Sequence, residues 1–337
     1  PIRVADDVLN DHFSGTYEAY LALDYIEPEQ SLAEYAEELN RRLSESLDKL
    51  DNMDNKESVI STMQSKVSSF SREAESKEAL LSKLIEYADA EYLEVPFDEA
   101  DAWDQMLTFL SREEQRDEIF KQPESLEYIA GLQEHLVSTG AVGKSNSITD
   151  IVKTVYRELL GGHDKYFEVP EKCSAVGQCL LTYQNSHRPQ DLWHFVTPDY
   201  KKAVIWVQMK SGDNQAMTGV VESVDSYIAE NPAPFNIEHS WSGLTYINVV
   251  WQDKMVRGML NAFLGSFLFV FLIMTLLYRS ALWGFLCMIP LSVTIALIYG
   301  LIGLAGKDYD MPVAVLSSLS LGLAVDYAIH FLTRSRH

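Results

Sequence analysis

The sequence predicts a multi-domain membrane protein: an α+β region carrying an α-helical insertion, followed by part of an all-α transmembrane bundle. Its apolar residues are segregated, because every run long enough to cross a bilayer lies after residue 257; about 20 apolar residues suffice for one crossing. Of the 27 Lys and Arg and 49 Asp and Glu residues, five and three lie from Met255 onward, so the preceding region carries 22 basic and 46 acidic residues. A region of that sign repels nucleic acid, so no nucleic-acid partner is expected.

Two stretches with alternating secondary-structure signals predict the α+β region. Residues 12–26 contain a short alternation of apolar and polar residues that is typical of a strand entered through Gly15. Residues 121–250 alternate helical periodicity with short apolar runs, including a predicted strand pair at 192–197 and 203–209. Helices alternating with strands that end as antiparallel partners favour a sandwich of the split βαβ type.

Residues 28–120 differ in composition and predict an acidic α-helical insertion. They contain 24 acidic against 10 basic residues and few Gly or Pro. Apolar residues recur at helical spacing over 32–50, over 59–87 and over 102–119, which predicts a helical hairpin or small bundle. Two roles stay open: a docking module for a partner or substrate carrier, and a self-packed insertion whose acidic face is solvated.

Three apolar runs predict transmembrane helices at about 258–278, 281–305 and 312–333; the first two are uncharged and the third contains Asp326. Pro290 can be accommodated as a kink, because neighbouring helices satisfy the freed carbonyl. Arginines lie between the first two runs and after the third, at Arg279, Arg334 and Arg336. Since basic residues flank the cytoplasmic ends of membrane helices, the large acidic region is expected outside the cytoplasm.

The third apolar run carries the residue that we single out as functional. Asp326 lies in an uncharged run of membrane length, where a carboxylate costs roughly 3 kcal/mol on insertion scales. Low dielectric disfavours its charged form, which suits uptake and release of a proton, so one interpretation is a proton or sodium relay. The alternative is that Asp326 caps a packing contact or pairs with a charge on another helix. Four-residue spacing on a helix places it in a small and polar stripe that should face protein, made of Ser318, Gly322, Asp326, His330 and Arg334. Tyr327 is an ion-relay partner or an ordinary interfacial aromatic, and Ser318, Gly322 and His330 serve the relay or packing.

The string GLAVDYAIHFLTR, which contains Asp326 and Tyr327, resembles the fourth transmembrane helix of the resistance-nodulation-division (RND) superfamily. The resemblance is to its mycobacterial-membrane-protein-large (MMPL)-like branch, whose proton-relay Asp-Tyr pair maps onto these two residues. Ala324 stands where the family often has a second Gly. The Arg279-Ser280 turn and Pro290 match further features of that family. Residues 28–120 have no expected counterpart in it.

The resemblance implies a porter-like domain in two parts, with the insertion between them and three membrane helices after it. The implied segments are 1–27, 28–120, 121–250 and 251–337. It also implies the N-terminal half of a transporter, whose second repeat would be a partner absent from this chain. The expected location is the inner cell membrane as a multi-pass protein, with the large domain periplasmic. Homo-oligomerisation is left open.

The function expected from these features is export of a lipid or other hydrophobic substrate driven by the proton motive force. A sterol-sensing or Patched-like lipid receptor and an accessory subunit of protein export remain alternatives from the same superfamily. An intramembrane aspartyl protease needs a second membrane Asp, so no enzyme activity is expected. No cofactor or metal is expected. Cys173 and Cys179 would point to different faces of one helix, which favours free thiols.

Overall fold

The computed structural model describes residues 2–48, 56–96 and 100–306, together with Val313, Val315, Leu316, Leu319, Gly322, Tyr327 and Arg334. Within this part of the chain the protein is mostly helical and contains one small antiparallel sheet. It divides into two compact units. We call Pro1–Ser211 with Gly219–Ser242 the α+β unit, and Gly212–Thr218 with Gly243–His337 the apolar unit.

The helices alternate with single strands along the chain. The helices of the described residues are α1 (Ile2–Phe13), α2 (Leu32–Asp48), α3 (Lys56–Phe70), α4 (Lys77–Glu94), α5 (Ala100–Glu114), α6 (Pro123–Ser138), α7 (Ile148–Leu159), α8 (Cys173–Gln184), α9 (Asn214–Glu230), α10 (Leu244–Tyr278) and α11 (Ala281–Leu304). Short 3-10 helices occur at Gln115–Asp117, Ile119–Lys121, Asp164–Tyr166 and Pro189–His194. The strands are β1 (Tyr17–Tyr25), β2 (Val142–Asn146), β3 (Lys202–Met209) and β4 (Ile237–Ser242).

The sheet has the order β2-β3-β1-β4, and each neighbouring pair is antiparallel. Strands β3 and β4 therefore run parallel to each other on either side of β1, and α9 connects them. Strands β1 and β2 flank β3 in the same way. Alternate residues of β1 and β3 are fully buried on one face, and these include Leu21, Leu23, Ile205 and Val207. The alternation seen in the sequence thus gives a sheet with one core-facing side.

Helices α6 and α9 meet through a stacked pair in the α+β unit. The rings of His135 and Tyr227 lie 4.5 Å apart and nearly parallel, and His135 Nε2 lies 2.9 Å from Ser223 Oγ. A Cβ at Gly131 would come within 2.8 Å of the Tyr227 hydroxyl. Glycine at this position therefore lets the tyrosine approach α6.

A buried polar cluster fixes the start of α7. Ser147 is the N-cap: its hydroxyl accepts from the Thr149 N–H (3.1 Å) and donates to Gln133 Oε1 (2.9 Å). Gln133 Nε2 donates to Asp150 Oδ2 (2.8 Å), and that oxygen also accepts from the Ser147 N–H (2.8 Å). The orphan donors of the helix start are satisfied by side chains, which ties α7 to α6.

We expect Ser147→Ala to lower the stability of the protein by about 2 kcal/mol, because it removes an N-cap and leaves Gln133 Oε1 buried without its donor. Thermal unfolding of the detergent-solubilised protein measures this change. Ser68→Ala is the control, since Ser68 is exposed within α3 and, among the described residues, its hydroxyl bonds only to the Gln64 carbonyl; we expect its effect to stay within about 0.5 kcal/mol. Equal effects for the two variants would contradict the role of the cluster.

Helices α2 to α5 enclose a core of their own within the α+β unit. It contains fully buried Leu39, Leu43, Met63, Leu84 and Met106. The sequence interpretation of 59–87 as one helix was wrong. The chain leaves α3 at Phe70 and begins α4 at Lys77, where the Ser76 side chain accepts from the Ala79 N–H as an N-cap. The cap ends the continuity that the apolar spacing suggested.

One other expectation differs from the structure, and one helix was not predicted. The segment 192–197 is not a strand: its first half belongs to the 3-10 helix Pro189–His194, and only an isolated bridge joins Val196 to Ala203. Pro189 starts this helix, and the Phe195 N–H donates to the Leu192 carbonyl as in a 3-10 turn. The sequence reading also missed α1, whose Val8, Leu9 and Phe13 side chains are exposed. The free thiols expected for Cys173 and Cys179 are confirmed.

Candidate functional site

The apolar unit contains two helices long and apolar enough to cross a membrane, among the residues that the structure describes: α10 and α11. They are joined by Arg279 and Ser280, and Arg279 adopts a left-handed conformation with φ of 51° that caps α10. The apolar positions 258–278 and 281–304 therefore form a helical hairpin. The third predicted span, 312–333, lies largely outside the described residues.

Most apolar side chains of this hairpin face outward. Leu276 is 82% exposed and Leu304 87%, while the buried seam between the helices holds Met274, Cys287 and Leu291. Helices at the core of a water-soluble protein bury such residues. The outward faces of α10 and α11 therefore suit contact with lipid or with further membrane helices.

The two helices approach each other closely at Gly284. A Cβ there would lie 2.4 Å from Thr275 Oγ1 and 3.1 Å from the Thr275 Cα. The Thr275 hydroxyl is buried, with no hydrogen-bond partner among the described residues. Small residues at membrane helix interfaces permit this kind of backbone approach. Gly284 therefore sets the spacing of the hairpin.

We expect Gly284→Ala to destabilise the hairpin by about 1–3 kcal/mol, because the added methyl forces the helices apart. Gly300→Ala is the matched control in the same helix, where a Cβ meets no atom of the described residues within 4 Å. Alanine at that position should be neutral or stabilising by about 1 kcal/mol through helix propensity. Thermal unfolding of both variants in one detergent measures the difference, and the same sign for both would contradict the packing argument.

Helix α10 begins before its membrane-length run, which ends with the helix at Tyr278. Its 35 residues extend about 52 Å at 1.5 Å per residue, which exceeds one crossing. Gly243, with φ of 98°, separates β4 from α10, a conformation that favours glycine. Near the start of α10, the Asn214 side-chain amide donates to Gln252 Oε1 within the apolar unit. Sequence reasoning missed this bond, because the two residues lie far apart along the chain and carry no motif.

The predicted ion-relay stripe is described only in part. Gly322 and Tyr327 have helical backbone. Tyr327 is 72% exposed, and no described atom lies within 4 Å of a Cβ added at Gly322. Ser318, Asp326 and His330 lie outside the described residues. The grouping of Ser318, Gly322, Asp326 and His330 with Tyr327 therefore stays a prediction.

A cleft in the α+β unit was missed by the sequence reading. It has a volume of about 460 Å³ and lies between the end of α5, the 3-10 helices that follow it, α8 and Tyr200. Tyr200 is 3% exposed and has a left-handed backbone with φ of 52°. Lys121 Nζ lies 4.2 Å from the centre of its ring, and Gln184 Nε2 donates to its hydroxyl (2.9 Å). Burial raises the pKa of the Tyr200 phenol.

Cys173 lines this cleft and is exposed to solvent. Of the chain's three cysteines, Cys173 is exposed whereas Cys179 and Cys287 are buried. The Cys173 thiol donates to Gln122 Oε1 (2.8 Å). Partial burial, followed by the charge of Glu124, raises the pKa of the Cys173 thiol, so the thiol is protonated at neutral pH and is a weak nucleophile. No cluster of metal-binding side chains occurs among the described residues.

An α+β unit joined to outward-facing apolar helices defines a membrane protein with a large domain outside the bilayer. The sequence model of the MMPL family matches residues 127–337, more than half of the chain. The chain therefore belongs to the MMPL family, a family of membrane transporters in the RND superfamily, as its resemblance predicted. The match includes α7 to α11 and three of the four strands, and residues 1–126 lie outside it.

A curated protein of Methanocaldococcus jannaschii, whose name describes a membrane protein, is 25% identical to this chain over 137 residues. The similarity covers 40% of the chain and 35% of that relative, so the chain spans about a third of the relative's length. No solved structure matches the chain.

Proposed function

We propose that this protein exports a lipid or another hydrophobic substrate across the cell membrane and is driven by the proton motive force. The observation that carries the proposal is membership of a transporter family over residues 127–337, a segment that includes a carboxylate, Asp326, in an uncharged run of membrane length. An intramembrane acid is expensive to keep and marks ion pathways in transporters.

In this proposal Asp326 takes up and releases the proton and Tyr327 orients it. Gly322, Ser318 and His330 share the face on which a partner helix packs. Protonation removes a charge from that interface and so changes the preferred packing of the helices. The second repeat of the transporter supplies the facing surface, because coupling sites in repeat-built transporters lie at the repeat interface near the midplane.

The sheet topology supports a porter-like role for the α+β unit. Each of β1 and β3 is flanked by two strands that run parallel to each other, and the flanking pairs are joined through α9 and through the segment containing α6. This is a pair of interleaved split βαβ units. We propose that 1–27 and 121–250 form the porter-like domain, that 28–120 is an insertion in it, and that 251–337 holds three membrane helices.

Orientation follows from charge. Arg279 lies between α10 and α11, and Arg334 follows the third predicted span. Basic residues favour the cytoplasmic side, so we propose that the α+β unit lies in the periplasm and that the protein is multi-pass in the inner membrane. The acidic surface then faces the periplasm and keeps the domain soluble.

The test compares the lipids that reach the outer compartment in cells carrying the intact protein, as wild type or Asp326→Asn, at matched expression. Asp253→Asn is the control, because Asp253 is an exposed acid on α10 that pairs with Arg257 at 2.9 Å. We expect one lipid class to be lost from the outer compartment in the Asp326 variant alone. An unchanged lipid distribution in that variant would contradict the proposal and favour a lipid-sensing receptor.

A further inference from the structure

We propose that the cleft beside Tyr200 is a binding site for a single-chain amphiphile with an anionic head. The cleft is formed where the last helix of residues 28–120 meets α8, so it depends on a segment outside the family match. Its volume of about 460 Å³ lies in the range of about 300–1,000 Å³ that is usual for small-molecule sites.

One wall of the cleft is apolar. It is formed by Leu180 and Leu181 of α8, by the backbone at Gly177 and by the ring of Tyr200. Leu181 is 53% exposed although it lies beside buried Leu180. Because no described atom lies within 4 Å of a Cβ added at Gly177, the glycine leaves room for a chain along this wall. An acyl chain would cover these apolar atoms.

Other residues lining the cleft carry hydrogen-bond donors for which the described residues supply no acceptor. Arg112 lines the cleft and makes no ion pair or hydrogen bond with any residue that the structure describes. Gln122 accepts from Cys173 through its oxygen, which leaves its NH₂ group available. Gln115 adds a second amide to the lining. A guanidinium with adjacent amides matches a carboxylate or phosphate head.

The remaining charges of the cleft cancel each other. Glu118 pairs with Lys121 at 2.7 Å, and Lys121 also lies over the Tyr200 ring. Arg112 therefore remains as an uncompensated positive charge. A second cleft of about 220 Å³ provides the contrast: it is lined by Glu27, Glu75 and Asp117, and its Lys77 pairs with Asp117. Only the first of these two clefts suits an anion.

The role that we assign to the site, receiving exported substrate outside the membrane, rests on the proposed function. Binding itself does not, because none of its residues belongs to the ion relay. The combination of an apolar wall and an unpaired cation selects an anionic lipid or fatty acid within the broader class of hydrophobic substrates.

The experiment measures protection of Cys173 from maleimide alkylation in the intact protein, in phosphatidylcholine nanodiscs, with mass spectrometry as the readout. The probes are laurate, dodecyl phosphate and dodecyltrimethylammonium, which share one chain and differ in the head. Buried Cys179 and Cys287 serve as internal references. We expect the two anionic probes to slow alkylation of Cys173 saturably, and we expect the cationic probe to leave it unchanged. A stronger effect of laurate or of dodecyl phosphate then identifies the head group.

Two pairs of variants test the apolar wall and the hydrogen-bond donors of the cleft separately. Gly177→Leu fills the cleft and should abolish protection, whereas Gly219→Leu, at another helix glycine with open space, should not. Arg112→Gln should weaken anion binding about tenfold, as expected for a lost charge-assisted hydrogen bond. Arg72→Gln, the same change elsewhere in residues 28–120, should leave it unchanged. The proposed site would be contradicted if all three probes protected Cys173 equally or if no probe protected it. Full protection by the anionic probes in Gly177→Leu would contradict it as well.

The Asp326→Asn variant separates this inference from the export proposal. It should bind laurate like the wild type while failing to export. Loss of export with no anion binding in the wild type would overturn the site alone. Laurate binding with undiminished export in Asp326→Asn would overturn the export proposal and leave the site standing.

Discussion

Asp326→Asn is expected to abolish proton-coupled export while leaving the folded protein at least as stable as the wild type. Asparagine keeps the size of the side chain but takes up no proton, so the switch between two helix packings is lost. A charged carboxylate in a membrane span costs roughly 3 kcal/mol, and the neutral amide costs less. Stability therefore should not fall, which separates a functional acid from a structural one.

Thermal unfolding of the purified variants, read beside their export in cells, measures both parts of this prediction. Tyr327→Phe provides a graded comparison: it removes only the hydroxyl proposed to orient the acid, so export should fall about tenfold and persist. Export by Asp326→Asn at wild-type rate would contradict the relay. A large loss of stability in that variant would instead assign the carboxylate to a structural ion pair.

Trp103→Ala is expected to destabilise the packing of helices α2 to α5 by about 3–5 kcal/mol. Trp103 of α5 is 5% exposed and meets Tyr87 of α4 edge-on at 6.2 Å. Tyr87 meets Phe70 of α3 in the same way at 6.4 Å. The three rings thus join three consecutive helices, and Lys66 Nζ lies 4.3 Å from the centre of the Tyr87 ring. Removing the indole leaves a cavity where α5 closes this core.

Hydrogen exchange of the intact protein in detergent measures the effect by region. Amides of α3, α4 and α5 should lose protection in Trp103→Ala, whereas α6 and the sheet should change less. Tyr92→Ala is the control, because Tyr92 is a partly exposed aromatic at the end of α4; its effect should stay within about 0.5 kcal/mol. A Trp103 variant as stable as this control would show that the aromatic contact contributes little.

Much of the fold was predicted from local sequence patterns: long apolar runs for membrane helices, and alternation or short apolar runs for strands. Strand β1 follows from period-two alternation, and its buried positions are those that the alternation selects. Strand β3 follows from a short apolar run. Helix α10 follows from a long apolar run, although it begins at Leu244, well before that run. These elements are set by local pattern and by burial, which a sequence records directly.

Features that depend on contacts between distant residues could not be predicted. Apolar residues keep their helical spacing from Val59 to Tyr87, so this pattern does not reveal the break between α3 and α4. The N-cap at Ser76 marks the break in the structure. The cleft combines Arg112 with Gly177, and no local pattern links them. Asp326 is the opposite case. It stood out because one acid in an uncharged run is costly, and its role remains a prediction from sequence and family.

Residues 28–120 lie outside the part of the chain that matches the family model. The match begins at residue 127, after α5 and the 3-10 helices that form one side of the cleft. Of the two roles left open by the sequence, the proposed cleft supports a docking module over a purely self-packed insertion. In that proposal, Arg112 and Gln115 are the residues that the insertion contributes to binding.

The most direct test of the account is lipid release from vesicles that contain the intact protein. The vesicles are made from total lipid extract of the host membrane, a proton gradient is imposed, and released lipids are captured on albumin and identified by mass spectrometry. We expect one lipid class to be released only when the gradient is present. This release should be retained in Asp253→Asn and lost in Asp326→Asn. Equal release with and without the gradient, or undiminished release by Asp326→Asn, would contradict proton-driven export.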